Sequence, residues 1–197
     1  MIAGLFLAAG VGRRFGGDKL LREVAGVPLY YLGLSQAAAS RLTEVLVVVG
    51  PEAANLEQDV EKRFAGEAKV RVERNEEAAR GMMSSLKTGM RAVAGRCDGA
   101  AVLLADMPLV TAIMINELID AFARRPSIVI PECGGQLRHP RVIPARLFPE
   151  FLALGDDEKG TKIIEKYNRE VVRVPVGSEL NYIDIDTPED LKTLENL

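Results

Sequence analysis

The segment LAAGVGRRFGGDKLL (residues 7–21) follows an apolar run from Ile2 to Leu7 and separates that run from the first helical pattern. The run predicts a buried parallel strand, because strands covered on both faces are apolar nearly throughout. The segment itself carries four glycines and three basic residues. Glycine lets the backbone approach a ligand closely, and backbone N–H groups beside cations attract anions. The chain therefore begins with a predicted strand that enters a phosphate-binding loop.

Two common phosphate-binding motifs do not fit this loop. With Gly12 and Gly17 as the frame of a P-loop, Asp18 takes the position of the required lysine. In the dinucleotide fingerprint, Phe15 takes the position of the third glycine. The remaining pattern, L-A-A-G-x-G-x-R-x-G-x-x-K, is similar to the signature of transferases that join a nucleotide to a phosphorylated acceptor. A glycine-rich surface turn is the alternative interpretation.

Apolar runs alternate with helical patterns along the rest of the chain. Further strands are predicted at 45–49, 70–73, 100–105, 127–130, 171–174 and 182–185. Helices are predicted at 28–41, 53–64, 80–94, 111–124, 144–154, 161–167 and 188–197. Residues 133–140 form a turn-rich stretch between them. This alternation predicts an α/β fold with a mostly parallel sheet covered on both faces.

Composition limits the classes of function. The chain has 197 residues, 48% of them hydrophobic, and its net charge of −3 argues against a nucleic-acid partner. Its two cysteines, Cys97 and Cys133, are too few for a disulfide framework or a four-ligand zinc site. The first apolar run ends at residue 7 without a basic segment before it, so we expect neither a signal peptide nor a membrane span. A reduced, cytoplasmic setting fits these features.

Four informative stretches follow predicted strands, namely 8–19, 75–85, 106–108 and 184–187. In an open parallel sheet, ligands bind beyond the carboxyl ends of the strands, so these stretches are expected to form one site. Mg²⁺ prefers one or two carboxylates together with water and phosphate oxygens. Asp106 and Asp186, each just past a predicted strand, suit that preference.

The phosphate loop, R-N…G-M-x-S-S-L, L-L-A-D-M-P and D-I-D-T-P-E-D-L occur in the order seen in molybdenum-cofactor nucleotidyltransferases. The chain resembles the cytidylyltransferase branch of this MobA-like NTP transferase family over nearly its whole length. The resemblance implies a Rossmann-like three-layer α/β/α sandwich of the nucleotide-diphospho-sugar transferase type. It also implies Mg²⁺-dependent transfer of a nucleoside monophosphate from CTP, or from GTP, to the phosphate of molybdopterin, with release of pyrophosphate. A molybdoenzyme is an implied partner protein.

The resemblance also assigns roles to individual residues. The residues implied to bind the nucleotide are Leu7, Ala8, Ala9, Gly10, Gly12, Arg13, Arg14, Lys19, Asn75, Gly81, Ser85 and Asp106. Lys19, Arg14 and Asp106 are the implied catalytic residues, and Arg13 is the alternative to Arg14. Asp106 and Asp186 are the implied metal ligands, with Asp184 as the substitute for Asp186. A single domain, 1–197, is expected, in which 1–131 mainly bind the nucleotide and 132–197 supply the acceptor side and the second metal ligand.

The acceptor side carries His139, Arg138 and Lys162 as candidate contacts. An attacking phosphate is already ionised at neutral pH, so His139, the sole histidine, is not needed as a general base. The chain departs from the family here, because Arg138 replaces a glycine before the His-Pro pair and the 155–162 loop is longer and more charged. Arg138, Arg141 and Lys162 still suit a phosphorylated acceptor.

Structural interpretations compete with several of these roles. Asp106 could start a turn, and Asp190 is expected to cap the helix that Thr187 and Pro188 begin. Ser84 and Ser85 could cap a helix, and Met82, Met83 and Cys133 are expected to pack in the core.

Three other functions are alternatives for this sequence. A sister enzyme could transfer the nucleotide to a sugar phosphate or a polyol phosphate. An NAD(P)-dependent oxidoreductase is disfavoured by Phe15 in the glycine-rich segment and by the basic loop that ends in Lys19. A non-catalytic nucleotide-binding regulator would bind a triphosphate without turnover.

Overall fold

The computed structural model describes residues 1–10, 19–155, 158–176 and 178–195. The strands are β1 (Ile2–Leu7), β2 (Glu23–Val24), β3 (Val27–Pro28), β4 (Glu44–Val49), β5 (Val70–Arg74), β6 (Gly99–Leu104), β7 (Val129–Cys133), β8 (Gln136–Leu137), β9 (Arg141–Pro144) and β10 (Val172–Pro175). The α-helices are α1 (Leu29–Ala39), α2 (Ala54–Arg63), α3 (Met82–Val93), α4 (Ala112–Arg124), α5 (Phe148–Ala153), α6 (Thr161–Lys166) and α7 (Pro188–Glu195). Short 3₁₀ helices span Lys19–Leu21, Ala78–Arg80, Ala145–Leu147 and Glu179–Tyr182.

Within the described residues, eight strands form one sheet in the order β10-β7-β9-β6-β1-β4-β5, with β8 paired to β7. Strands β6, β1, β4 and β5 are parallel, and β10 is parallel to β7. Only β9 in this row runs against its neighbours, since it pairs antiparallel with both β6 and β7. The predicted mostly parallel α/β sheet is therefore confirmed.

Strand β1 shows why the sheet is covered on both faces. Phe6 packs on one face in a cluster that includes Tyr30 of α1 and Phe122 of α4. Leu5 points to the other face and packs in a cluster that includes Met90 of α3 and Phe151 of α5. Burial of each such large apolar side chain stabilises the fold by roughly 1.5–3 kcal/mol. The result is the expected three-layer α/β/α sandwich.

The close approach of α3 to the sheet depends on Gly89. A Cβ atom at this position would lie 3.0 Å from Cδ2 of Leu5 and 3.3 Å from Cγ2 of Val48. These distances are tighter than ordinary van der Waals contact, so a larger residue would push α3 away from β1 and β4. Because α3 begins beside the first strand, this packing also fixes the position of its N-terminal turn near the sheet edge.

The last third of the chain differs most from the sequence expectations. The predicted strand at 182–185 is wrong, because Glu179–Tyr182 form a 3₁₀ helix and residues 183–185 do not pair with a strand of the sheet. Tyr182 and Ile185 are both buried, which explains the apolar pattern that suggested a strand. The Ile185 N–H instead donates to the carbonyl oxygen of Asp106 at 2.9 Å. This bond ties the segment to the turn after β6.

Two further predictions need correction, and the prediction of the α4 cap is confirmed. Strand β9 was not predicted, because Arg141 and Pro144 at its ends interrupt the apolar pattern. The predicted helix at 144–154 is divided into a 3₁₀ turn and α5. The predicted cap of α4 is confirmed, since the Thr111 hydroxyl accepts the N–H of Met114 at 3.3 Å. Among the described residues, every helix is too short or too polar to cross a bilayer.

Candidate active site

Lys19 and Asp106 meet at the carboxyl edge of the sheet. Lys19 Nζ donates to Oδ2 of Asp106 at 2.9 Å and lies 3.4 Å from Oδ1 of Asp186. Only 11% of the Lys19 side chain is exposed, so water screens these charges less than at an open surface. Asp106 follows β6, whose neighbour β1 leads into the first loop, and the Ala105 N–H bonds to the Leu7 carbonyl at 3.1 Å. The predicted convergence of the first loop and Asp106 is confirmed.

Asp186 reaches the same place by a different route from the one expected. It does not follow a strand, and that prediction was wrong. Asp190 Oδ2 accepts the N–H groups of Asp186 at 2.9 Å and Thr187 at 2.7 Å, while the Thr187 hydroxyl accepts the Asp190 N–H at 3.3 Å. This reciprocal capping confirms the capping role of Asp190 and fixes Asp186 at the start of α7.

The carboxylates of this edge repel one another. Partial desolvation raises the pKa of Asp184, and the negative charges of Asp106 and Asp186 raise it further. The cations Lys19 and Arg138 oppose that rise. In contrast, the N–H of Asp186 lowers the pKa of Asp190, and the Thr187 hydroxyl and N–H add to the effect. The edge therefore carries a concentration of negative charge that favours a cation.

Two adjoining cavities flank the Lys19–Asp106 pair. The first, about 330 Å³, is lined by residues 8–10, 19–21, 50–53, 56, 78 and 79. The second, about 370 Å³, is lined by Leu7, Ala9, Gly10, Ala78, Ala79, Gly81, Met82, Ser85, Leu104 and Asp106. Lys19 lines the first cavity, Asp106 lines the second, and four residues are common to both. Together the cavities form one cleft with the ion pair at their junction.

Most of the residues predicted to bind the nucleotide border this cleft. They are Leu7, Ala8, Ala9, Gly10, Lys19, Gly81, Ser85 and Asp106. The wall formed by residues 50–53 and by Ala78 and Ala79 was missed. Gly50 and Pro51 directly follow β4, which pairs with β1. Their position at the same sheet edge could have identified them as part of the site. Gly12, Arg13 and Arg14 lie outside the described residues, and their roles stay predictions.

Asn75 lies behind the cleft rather than in its lining. Its side chain is buried, and Nδ2 donates to the hydroxyl of Ser84 at 2.8 Å and to that of Ser85 at 3.0 Å. Its Oδ1 accepts the N–H of Glu77 at 3.0 Å. Asn75 thereby connects the end of β5 to the turn before α3 and holds Ser85 at the cleft wall.

Gly81 makes the entry into α3. Its φ of 100° lies in the left-handed region, where a side chain would strain the backbone. It links the 3₁₀ helix Ala78–Arg80 to Met82, the first residue of α3. Ser84 is used internally, with its hydroxyl 2.8 Å from the Gly81 carbonyl oxygen. These contacts leave Ser85, one turn into α3, facing the cleft.

A third cavity, about 440 Å³, adjoins the cleft. It shares Leu7, Gly81 and Met82 with the second cavity. Its other lining residues are Arg80, Met83, Leu86, Val102, His139, Arg141, Ile143, Phe151, Glu158, Lys159, Gly160, Thr161 and Ile164. Of the three predicted acceptor contacts, His139 lines this cavity and Arg138 and Lys162 do not.

His139 is a neutral group at physiological pH. Burial lowers its pKa from the ordinary 6.5 to about 4, and the nearby charge of Arg141 contributes. Its Nδ1 lies 3.4 Å from the carbonyl oxygen of Val102 on β6. A neutral imidazole in this place can exchange hydrogen bonds with a ligand, whereas its low pKa makes it a poor proton carrier near pH 7.

The fold and the cleft belong to an α/β protein whose family match identifies it as a nucleotidyltransferase. The family model named MobA-like NTP transferase domain matches residues 4–171 of the sequence, and the chain belongs to that family. It is 32% identical over 195 residues to the purine catabolism protein PucB of Bacillus subtilis strain 168, across 96% of this chain and 93% of that protein. It is 27% identical over 203 residues to a probable molybdenum cofactor guanylyltransferase of Thermococcus kodakarensis, across 98% of this chain and 94% of that protein.

Solved structures show the same fold. Rv0371c from Mycobacterium tuberculosis H37Rv superposes with a TM-score of 0.81 at 24% identity, covering 100% of this chain and 97% of that chain. A complex of Rv0371c with manganese gives a TM-score of 0.77 at 22% identity, covering 100% and 98%. The expected sandwich is thus the architecture of a known group of solved proteins.

Proposed function

We propose that this chain transfers a nucleoside monophosphate from CTP to the phosphate of a molybdopterin-type acceptor, with Mg²⁺, and releases pyrophosphate. One observation carries the proposal: the Lys19 ammonium contacts Asp106 and lies 3.4 Å from Asp186 at the junction of two cavities. A cation and two carboxylates at that junction suit a triphosphate bound in the cleft and an acceptor that reaches it from the adjoining third cavity.

The relatives support the class of acceptor. The Thermococcus kodakarensis protein is named a probable molybdenum cofactor guanylyltransferase, and its alignment covers nearly the whole of both chains. That name also supports GTP as a second candidate for the nucleotide. The cleft residues Ala8, Ala9 and Gly10 offer mainly backbone groups to a base, so the lining alone leaves CTP and GTP as competing donors.

The carboxylates fit a divalent ion in the way Mg²⁺ is usually held. Lys19 Nζ is within 3.4 Å of oxygen atoms from both Asp106 and Asp186, so one cation can contact both side chains. In the described ranges, no three side chains of ligand type gather into a protein-only metal site. Mg²⁺ commonly uses one or two carboxylates and takes its other ligands from phosphate and water. Asp106 and Asp186 would hold the ion, which would supply charge neutralisation to the phosphates.

The chain's own residues then act by position and charge. Backbone groups of Ala9 and Gly10 would seat the nucleotide, and the Lys19 ammonium would neutralise oxygens of the triphosphate. An oxygen of the acceptor phosphate would form a bond to the α-phosphorus. The bond from that phosphorus to the bridging oxygen would break, and pyrophosphate would leave with the electron pair. The attacking oxygen is already ionised, so His139 has no proton to remove.

Within this proposal, residues 1–131 mainly form the nucleotide side, and 132–197 mainly supply the acceptor side together with Asp186. Strand β9 supports this division, because it pairs with β6 and carries Arg141, which lines the third cavity. A cytoplasmic setting and a molybdoenzyme that receives the product complete the proposal.

Two measurements test the function. In a thermal-shift screen with Mg²⁺, CTP should raise the melting temperature more than GTP, ATP or UTP, because a ligand stabilises the state that binds it. Pyrophosphate release should then require molybdopterin and should stay at background with sugar phosphates and polyol phosphates. Preferential stabilisation by GTP would move the donor to the second candidate. Turnover with a sugar or polyol phosphate but not with molybdopterin would overturn the acceptor assignment.

A further inference from the structure

Arg141 is a partly buried cation on β9 that faces the third cavity. Its Nε donates to the carbonyl oxygen of Arg138 at 3.2 Å. Within the described part of the chain, no carboxylate forms an ion pair with its guanidinium, and desolvation alone lowers its pKa. A guanidinium stays charged and has five N–H donors, so most of its donors remain available to a ligand.

The other two predicted acceptor cations do not line this cavity and have carboxylate partners. The Arg138 guanidinium lies 3.8 Å from Glu179, and Lys162 pairs with Glu158, four residues earlier in the chain. The Lys162 side chain is 69% exposed, which makes its charge weakly effective in water. Arg80 and Lys159 also line the third cavity, but both are exposed, whereas Arg141 is partly buried. Arg141 is therefore the cation of this lining that is best shielded from water.

The walls around Arg141 suit a flat, apolar-faced group. Met82, Met83 and Phe151 line the cavity, and Met82 is 60% exposed although it is a large hydrophobic residue. Methionine sulfur and aromatic rings pack well against planar ring systems. The neutral His139 adds one adaptable hydrogen-bonding group beside Arg141.

The sheet register sets the distance to the reacting phosphate. Arg141 pairs with Val102, and the His139 ring also lies at the level of Val102. Strand β6 ends at Leu104, two positions farther along the chain and about 7 Å away in an extended strand, and Asp106 lies in the turn that follows. An acceptor whose phosphate lies beside Asp106 would therefore place its opposite end near Arg141, on the order of 10 Å away.

We propose that Arg141, together with His139, binds the ring end of the acceptor: a planar heterocycle with a ring carbonyl beside a ring nitrogen, as in a pterin. The guanidinium of Arg141 can donate to the ring carbonyl, and the unprotonated ring nitrogen of neutral His139 can accept the N–H of the neighbouring ring nitrogen. This assignment rests on the proposed function, since it takes the acceptor to be of the molybdopterin type.

The test compares Arg141→Met with Arg141→Lys and with the matched control Arg124→Met, which alters an exposed arginine on α4. The intrinsic fluorescence of the pterin measures binding of hydroxymethylpterin, which lacks the phosphate. Pyrophosphate release measures turnover of molybdopterin with CTP. In Arg141→Met, both the pterin Kd and the KM for molybdopterin should rise about 10- to 100-fold, because hydrogen bonds to a charged group are lost. The kcat and the CTP-induced thermal shift should stay near the wild-type values, which also reports correct folding. Arg141→Lys should recover only part of the affinity, and Arg124→Met should resemble wild type.

The outcomes separate this inference from the function it rests on. Turnover of molybdopterin with an unchanged KM in Arg141→Met would overturn the ring-binding role and leave the proposed function standing. Arg141-dependent binding of hydroxymethylpterin without any turnover of molybdopterin would support the ring site and overturn the proposed reaction. Equal weakening in Arg124→Met would show a general charge effect and count against a specific role for Arg141.

Discussion

The ammonium of Lys19 lies 2.9 Å from Oδ2 of Asp106, although the two residues are 87 positions apart in the chain. Strands β1 and β6 are hydrogen-bonded neighbours, so the segments that follow them emerge side by side. The contact therefore depends on strand order rather than on closeness in sequence. It joins the first loop to the carboxylate edge, and the predictions about catalysis depend on it.

Replacement of Lys19 by methionine should weaken triphosphate binding. The change keeps most of the unbranched side chain and removes the ammonium group of a side chain that is only 11% exposed. Loss of hydrogen bonds to a charged ligand group corresponds to about a 10- to 100-fold rise in Kd. Calorimetric titration with CTP and Mg²⁺ would measure it. Lys62→Met, which alters an exposed lysine on α2, is the matched control and should bind CTP normally.

Asp106→Asn should reduce turnover by on the order of 100-fold or more, because it removes charge where phosphate charge develops. Asp106 is in the turn after β6 and is partly exposed, so the melting temperature should change little. Pyrophosphate release at increasing Mg²⁺ would measure the loss. Glu165→Gln on exposed α6 is the control for removal of one carboxylate. Near-normal turnover in Asp106→Asn would contradict the metal assignment.

Asn75→Ala should destabilise the protein and also weaken nucleotide binding. The change leaves the hydroxyls of Ser84 and Ser85 without their shared donor and the Glu77 N–H without its acceptor. Unsatisfied buried polar groups cost about 1–3 kcal/mol each. Chemical denaturation would measure the free energy of unfolding, and the KM for CTP would report displacement of Ser85. Loss of stability with an unchanged KM would assign Asn75 to the fold alone.

His139 predicts a pH dependence of stability. Its folded pKa of about 4 is below the ordinary 6.5, so the unfolded chain binds more protons between these values. The lowered pKa of His139 therefore does not reduce the free energy of unfolding above pH 6.5, and it reduces that free energy as the pH falls toward 4. The pKa difference corresponds to at most about 3 kcal/mol. In denaturation series at pH 7 and pH 4, His139→Gln should lose less stability than wild type over this interval. Equal losses would contradict the burial effect.

Local patterns predicted the parallel part of the fold because they carry its physics directly. The apolar runs of β1, β4 and β6 indicate strands buried on both faces, and the Thr111 and Thr187 caps mark helix starts. Interrupted patterns were misinterpreted. Arg141 and Pro144 concealed β9, and burial of Tyr182 and Ile185 imitated a strand.

The sequence by itself determined the α/β class, the strand that leads into the first loop and the placement of Asp106 at a strand end, because these follow from local periodicity and turn chemistry. Only the tertiary structure decided which polar residues share a site. It placed Asn75 behind the cleft wall, brought Asp186 to Lys19 through a helix cap and set Arg141 against β6. These relationships depend on strand order and on long-range hydrogen bonds, which join residues that no local pattern connects.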